Sequence, residues 1–171
     1  IKYVYENSIM QGTAEATFAP DENMTRAMLV TVLYRMENPD ITDAENKFAD
    51  VPDGEWYTEA VIWAEANGIV TGVSETEFAP NDLLTREEAA TIIVRMVNKV
   101  FPMAATEMWF EYDDINEVSE WASDSIQTIS NLGFMNGVGN NKFAPKETYT
   151  TEQAIATLVR VYERAEAAGA I

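Results

Sequence analysis

The tripeptide Phe-Ala-Pro occurs three times, beginning at Phe18, Phe78 and Phe143, 60 and then 65 residues apart. Other landmarks keep the same offsets: Gly12, Gly72 and Gly137 six residues before each Phe, Thr25, Thr85 and Thr150 seven after, Arg35, Arg95 and Arg160 seventeen after. A chain self-similar at this period must fold as copies of one supersecondary unit, none of which buries its apolar face alone. Upstream, Phe48-Ala49-Asp50-Val51 followed by Trp56 corresponds to Tyr112-Asp113-Asp114-Ile115 followed by Trp121, with one residue inserted. Aligning Asn7-Ser8-Ile9-Met10-Gln11-Gly12 with Asn67-Gly68-Ile69-Val70-Thr71-Gly72 places Ile1 inside the first helix of its unit. The expectation is a chain that begins mid-repeat, a mature product or an excised piece, with units at 1–42, 43–104 and 105–171 forming one compact domain. Proline and polar residues break the pattern at the joints, Asn38-Pro39-Asp40 and Phe101-Pro102-Met103.

Each unit reads as two helices joined by a turn-rich loop. Trp56, Ala60, Trp63 and Ala64 recur at helical spacing, and Gly68 stands where a left-handed residue ends a helix. A second helix is expected from Thr85, with Ala89, Ile93, Met96, Val97 and Val100 on one stripe, matched by Leu29, Leu33 and Met36 and by Ile155, Leu158 and Tyr162. Three such stripes meet best as a central three-helix bundle, with the shorter Trp helices outside and each Phe of the loops packed beneath. The fold is expected to be all-α.

Composition narrows the chemistry. Eleven Lys and Arg stand against 29 Asp and Glu, a net charge of −18, which argues against a nucleic-acid binder, whose cationic footprint displaces counterions from phosphates. With no Cys and no His, the chain lacks thiol nucleophiles, disulfides, imidazole bases and the usual zinc ligands. Absence of cysteine fits a bacterial exterior. No apolar run approaches the roughly 18 to 20 residues that span a bilayer, so no membrane insertion is expected.

Thr85-Arg86-Glu87-Glu88 and Thr150-Thr151-Glu152-Gln153 fit a capping box, in which Thr accepts an amide of the first turn and Glu or Gln reaches back. Met28 cannot do this in the first unit. Capping gives no reason for Arg26 and Arg86, because a cation in the first turn opposes the positive end of the helix macrodipole. Free amides and a guanidinium at one helix end would form a fork for a carboxylate or similar anion. The competing reading is a salt bridge to Asp50 or Asp114 of the next unit.

Taken together, these residues resemble the surface-layer homology (SLH) domain, whose repeat carries an aromatic-x-Asp-Val segment, a Trp, a Gly-Ile-x-x-Gly turn, a Phe-x-Pro and a Thr-Arg-Ala-Glu. Phe48, Asp50, Val51, Trp56, Gly68, Ile69, Gly72, Phe78, Pro80, Thr85, Arg86 and Glu88 carry the match in the second unit. The resemblance implies a pseudo-threefold bundle that anchors an exported protein non-covalently to a bacterial cell-wall polysaccharide, often a pyruvylated one, at the cell surface. It implies binding grooves between repeats: Arg26 with Asp50 and Trp56 in one, Arg86 with Asp114 and Trp121 in the next, with Thr25 and Thr85 beside them. Arg would hold the ketal carboxylate, Asp would bond hydroxyls or orient Arg, and Trp would cover a sugar face. Read without the resemblance, the tryptophans are first of all core residues. Thr151 replaces the third Arg, and Met28 and Gln153 replace Glu, so the third groove is expected to be degenerate. On this reading Arg86→Ala weakens wall binding more than it weakens the fold.

Other functions stay open at this point. Paired carboxylates such as Asp50 with Asp53 or Asp113 with Asp114 are thin support for an enzyme, and no catalytic residues or cofactor are expected. Asp40, Asp43, Asp50, Asp53 and Glu55 suggest calcium only weakly, because their spacing departs from the twelve-residue calcium loop. A protein-interaction or self-assembly module of a surface lattice is the rival from a different class.

Overall fold

The structure is a computed structural model, which describes residues 21–39, 44–100 and 110–169. The first Gly-to-Pro segment, with Phe18, and the joint at Phe101-Pro102-Met103 lie outside them. Among the described residues there are five α-helices: α1 Arg26–Glu37, α2 Thr58–Ala66, α3 Arg86–Val100, α4 Ser123–Asn131 and α5 Thr151–Ala167. Two single 3₁₀ turns, Ile115–Glu117 and Glu120–Ala122, lead into α4. Among the described residues there is no strand, only isolated β-bridges. The fold is all-α.

The long helices α1, α3 and α5 form the centre, where Leu33, Ile93, Val97, Leu158 and Val161 are buried together. The short helices lie outside, each against the long helix of the unit before it. Trp63 of α2 meets Tyr34 of α1 edge to face at 5.5 Å, and the segment before α4 is tied to α3 through Glu87. Trp63 is therefore a core residue, while the short helix begins at Thr58 and leaves Trp56 in the preceding turn. Gly68 and Gly133 take left-handed φ of 68° and 72° where α2 and α4 end, a conformation that favours a residue without Cβ.

What closes the threefold is a ring of backbone hydrogen bonds. Met24, Leu84 and Tyr149 each precede a helix-capping threonine, and each is completely buried. The Met24 amide donates to the Tyr149 carbonyl (2.8 Å), the Tyr149 amide to the Leu84 carbonyl (2.8 Å), and the Leu84 amide to the Met24 carbonyl (2.9 Å). Bridges Asn23 with Thr150, Thr25 with Leu83 and Thr85 with Thr148 flank this triangle. Each long helix thus starts against its neighbour: the first amide of α1 donates to Asp82, that of α3 to Glu147 and that of α5 to Glu22. Backbone amides buried at helix starts need such partners, and here the adjoining unit supplies them.

Candidate functional site

The three capping threonines work as the sequence suggests. Thr25 Oγ1 accepts from the Met28 amide (3.2 Å), Thr85 Oγ1 from the Glu88 amide (3.3 Å) and Thr150 Oγ1 from the Gln153 amide (3.3 Å). Only the second unit closes the box, since Glu88 Oε2 accepts from both the amide and the hydroxyl of Thr85. The hydroxyls of Thr25 and Thr85 are therefore engaged with their own helix starts.

The free anion fork expected at Arg26 and Arg86 does not form. The first amides of α1 and α3 donate to neighbouring carbonyls, and both guanidinium groups fold inward, leaving Arg26 8% and Arg86 3% exposed. Arg26 Nε donates to the Phe78 carbonyl (2.8 Å) and Nη2 to that of Thr71 (2.9 Å), with the guanidinium 4.7 Å from the Phe78 ring centre. Arg86 repeats the arrangement on Phe143 (Nε, 2.8 Å) and Asn136 (Nη2, 2.8 Å), 4.8 Å from the Phe143 ring centre. Each arginine of one unit therefore clamps both ends of the Gly-to-Pro loop of the next. Burial pulls both guanidinium groups below their usual pKa, opposed for Arg26 by Glu88, Asp82 and Asp50.

Asp50 and Asp114 complete the clamp from the other side. Asp50 Oδ1 and Oδ2 accept from the Phe78 and Ala79 amides (2.8 and 2.7 Å), and Asp114 accepts likewise from Phe143 and Ala144 (2.9 and 2.7 Å). They hold a tight turn in which Ala79 and Ala144 both have φ of 58°. Arg and Asp do meet, as the sequence pairs them, but across the Phe peptide rather than as the direct salt bridge considered from the sequence.

Beside these clamps lie open grooves. One, of about 500 Å³, is lined by the Val70-to-Val73 segment, by Glu88, Thr91 and Arg95 of α3, by the buried Arg26 and by the exposed Trp121. A second, of about 480 Å³, is lined by the Met135-to-Val138 segment, by Gln153, Thr157 and Arg160 of α5, and by the buried Arg86. The expected grouping is thus shifted: Trp121 lines the groove of Arg26, while Trp56 lies against Tyr57, ring centres 5.1 Å apart. Both tryptophans are out of the core, 57% and 55% exposed for Trp56 and Trp121, because the short helices start after them. Missed from the sequence were Arg95 and Arg160, whose recurrence with Arg35 was the available signal.

The model of the S-layer homology domain matches this chain at residues 1–27, 47–90 and 111–155. The chain belongs to the SLH domain family. Its matched segments contain the clamp residues Arg26, Asp50, Arg86 and Asp114 together with both exposed tryptophans. Similar proteins include an endoglucanase of Bacillus sp. (strain KSM-635), 33% identical over 93% of this chain and 17% of that protein. The Surface-layer 125 kDa protein of Lysinibacillus sphaericus is 28% identical over 98% of the chain and 14% of its own length. A cellulosome-anchoring protein of Acetivibrio thermocellus is 24% identical over 95% and 37%. The SLH chain therefore spans a minor part of each of these relatives. Among the described residues no helix is long and apolar enough to cross a membrane, and no three acidic side chains gather as a metal site. Asp40 and Asp43 lie outside the described residues.

Proposed function

We propose that this chain is a non-catalytic anchoring module, which holds an exported protein to the bacterial cell wall by binding a wall polysaccharide in the grooves between its repeats. The observation that carries the reading is the groove of Arg26, Arg95 and Trp121: an exposed indole beside cations and carbonyls is the combination that covers a sugar face and bonds its polar groups. The relatives named as surface-layer and cellulosome-anchoring proteins support a place at the cell surface. A net charge of −18 opposes an acidic polymer at long range, but a Debye length of about 8 Å in physiological salt confines that repulsion and leaves local Arg contacts effective. A pyruvate ketal on the polymer would supply a carboxylate for those contacts. No cofactor enters this reading, and sensitivity of wall binding to a chelator would reveal calcium dependence.

The test is cosedimentation with sacculi, native and stripped of their polysaccharide by acid. Pelleting with the native wall alone supports the reading. Self-association at rising protein concentration, without pelleting on any wall, would instead support the lattice module.

A further inference from the structure

Asparagine precedes glycine at two places in the chain, Asn67-Gly68 and Asn136-Gly137. Asparagine is a thermolabile residue type, and the pair with glycine is the most labile, because a following residue without Cβ lets its main-chain nitrogen reach the asparagine side-chain carbonyl carbon. Both asparagines are exposed, yet the fold treats them differently.

The first pair is tied down. Asn67 Nδ2 donates to the Trp63 carbonyl (2.7 Å), and the Gly68 amide donates to that of Glu65 (2.9 Å). Attack by the Gly68 nitrogen must first break these bonds at the end of α2. In the second pair the corresponding groups are unengaged: among the described residues neither the Asn136 side chain nor the Gly137 amide has a hydrogen-bond partner. What is held at Asn136 is its main-chain carbonyl oxygen, which accepts from Nη2 of the buried Arg86 (2.8 Å). A cation on that oxygen favours the anionic form of the peptide, from which the nitrogen attacks. The residues at this position in the other units are Gln11 and Thr71. Thr71 offers its carbonyl to Arg26 in the same way (2.9 Å), so the clamp does not itself require asparagine.

We propose that Asn136 is a site of spontaneous modification in the folded protein, deamidating ahead of Asn67, and that the product loosens the loop held by Arg86. The Gly137 nitrogen loses its proton and bonds to Asn136 Cγ, the Cγ–Nδ2 bond breaks, and ammonia leaves with that proton. Water then opens the succinimide at either carbonyl. Opening at Cγ gives aspartate, and opening at the main-chain carbon gives isoaspartate, in which the chain runs through Cβ and Cγ. In the isoaspartyl product the carbonyl that Arg86 holds becomes a free carboxylate, and the main chain lengthens by a methylene. The loop is packed too closely to absorb this, since a Cβ on Gly137 would already lie 2.5 Å from the Lys142 carbonyl oxygen. The chemistry is independent of what fills the grooves.

The experiment incubates wild type and Asn136→Thr in warm, mildly alkaline buffer, folded and in urea, and maps both pairs by mass spectrometry after digestion at acidic pH. In the folded wild type Asn136 is expected to convert at least about tenfold faster than Asn67, a factor of the size that one hydrogen bond to be broken supplies. In urea the two are expected to convert at similar rates. Aged wild type is expected to melt below fresh protein, and aged Asn136→Thr to melt unchanged. No conversion at Asn136 in the folded protein, or conversion no faster than at Asn67, overturns the site. A preference for Asn136 as large in urea as in the folded protein assigns it to the flanking sequence and overturns the part given to the fold. Full conversion at Asn136 with an unchanged melt overturns the effect on the loop. The wild-type rates decide the site whether or not the variant folds.

Discussion

Arg86 is a structural cation, and its environment sets what its removal costs. Its guanidinium satisfies the Phe143 and Asn136 carbonyls and the Gln153 side chain, and truncation leaves buried acceptors without donors. Arg86→Ala is expected to destabilise by about 3 kcal/mol in urea titration, and Lys to recover less than half of that, since one ammonium cannot span both carbonyls and lie over the ring. This reverses the emphasis read from the sequence, which set Arg86 chiefly against a ligand; an Arg86→Ala variant as stable as wild type would restore that view. Arg at the first helical position was legible as an anomaly, but two of its three partners were not, because they are main-chain carbonyls 50 and 57 residues away and carry no side-chain signature. Tyr149 adds a pH term. Complete burial raises its pKa well above the usual value near 10, so at alkaline pH the unfolded chain loses a proton that the folded chain keeps. The unfolded state then binds fewer protons, and stability falls as pH rises above about 10. Tyr149→Phe is expected to flatten the decline of the urea midpoint between about pH 10 and 11.5.

At the level of elements, the Gly-to-Pro loop is held from three directions: by Arg of the preceding unit, by Asp of its own unit and by close packing on the aromatic before that Asp. The third contact explains the recurrent glycine. A Cβ on Gly72 would lie 2.3 Å from the Ser74 carbonyl oxygen, 2.6 Å from that of Glu77 and 2.6 Å from Phe48 Cε1. Two of these are main-chain atoms that cannot rotate away, so Gly72→Ala is expected to cost about 1 to 3 kcal/mol. Thermal melts check it, with the exposed Glu75→Ala of the same loop as the comparison. The helices themselves were readable from their stripes, and Ile93 and Leu33 are buried as their spacing requires. The tryptophans were not. Trp56 shares a helical period with Ala60 and Trp63, yet the helix starts two residues later, and periodicity does not mark a start that lacks a side-chain cap.

Across the whole molecule, the triangle of Met24, Leu84 and Tyr149 makes each unit both a donor and an acceptor to its neighbours. A linear solenoid can lose terminal repeats one at a time, but a closed ring cannot open at one unit without breaking bonds to both of the others. One unfolding transition is therefore expected, with calorimetric and van't Hoff enthalpies equal; two resolved transitions would show that the ring does not couple the units. The repeat made the threefold arrangement legible, whereas the closing bonds belong to three different residue types, Met, Leu and Tyr, and left no motif to read. The same closure gives the grooves their fixed walls, on which the proposed wall-anchoring role depends. The most direct test of that role is to titrate the protein with polysaccharide released from sacculi and follow tryptophan emission in wild type and in Trp121→Phe. A saturable change in wild type that disappears in the folded Trp121→Phe protein is the expected result. An identical change in both would place the ligand away from this groove, and no change in the wild type would contradict polysaccharide binding there.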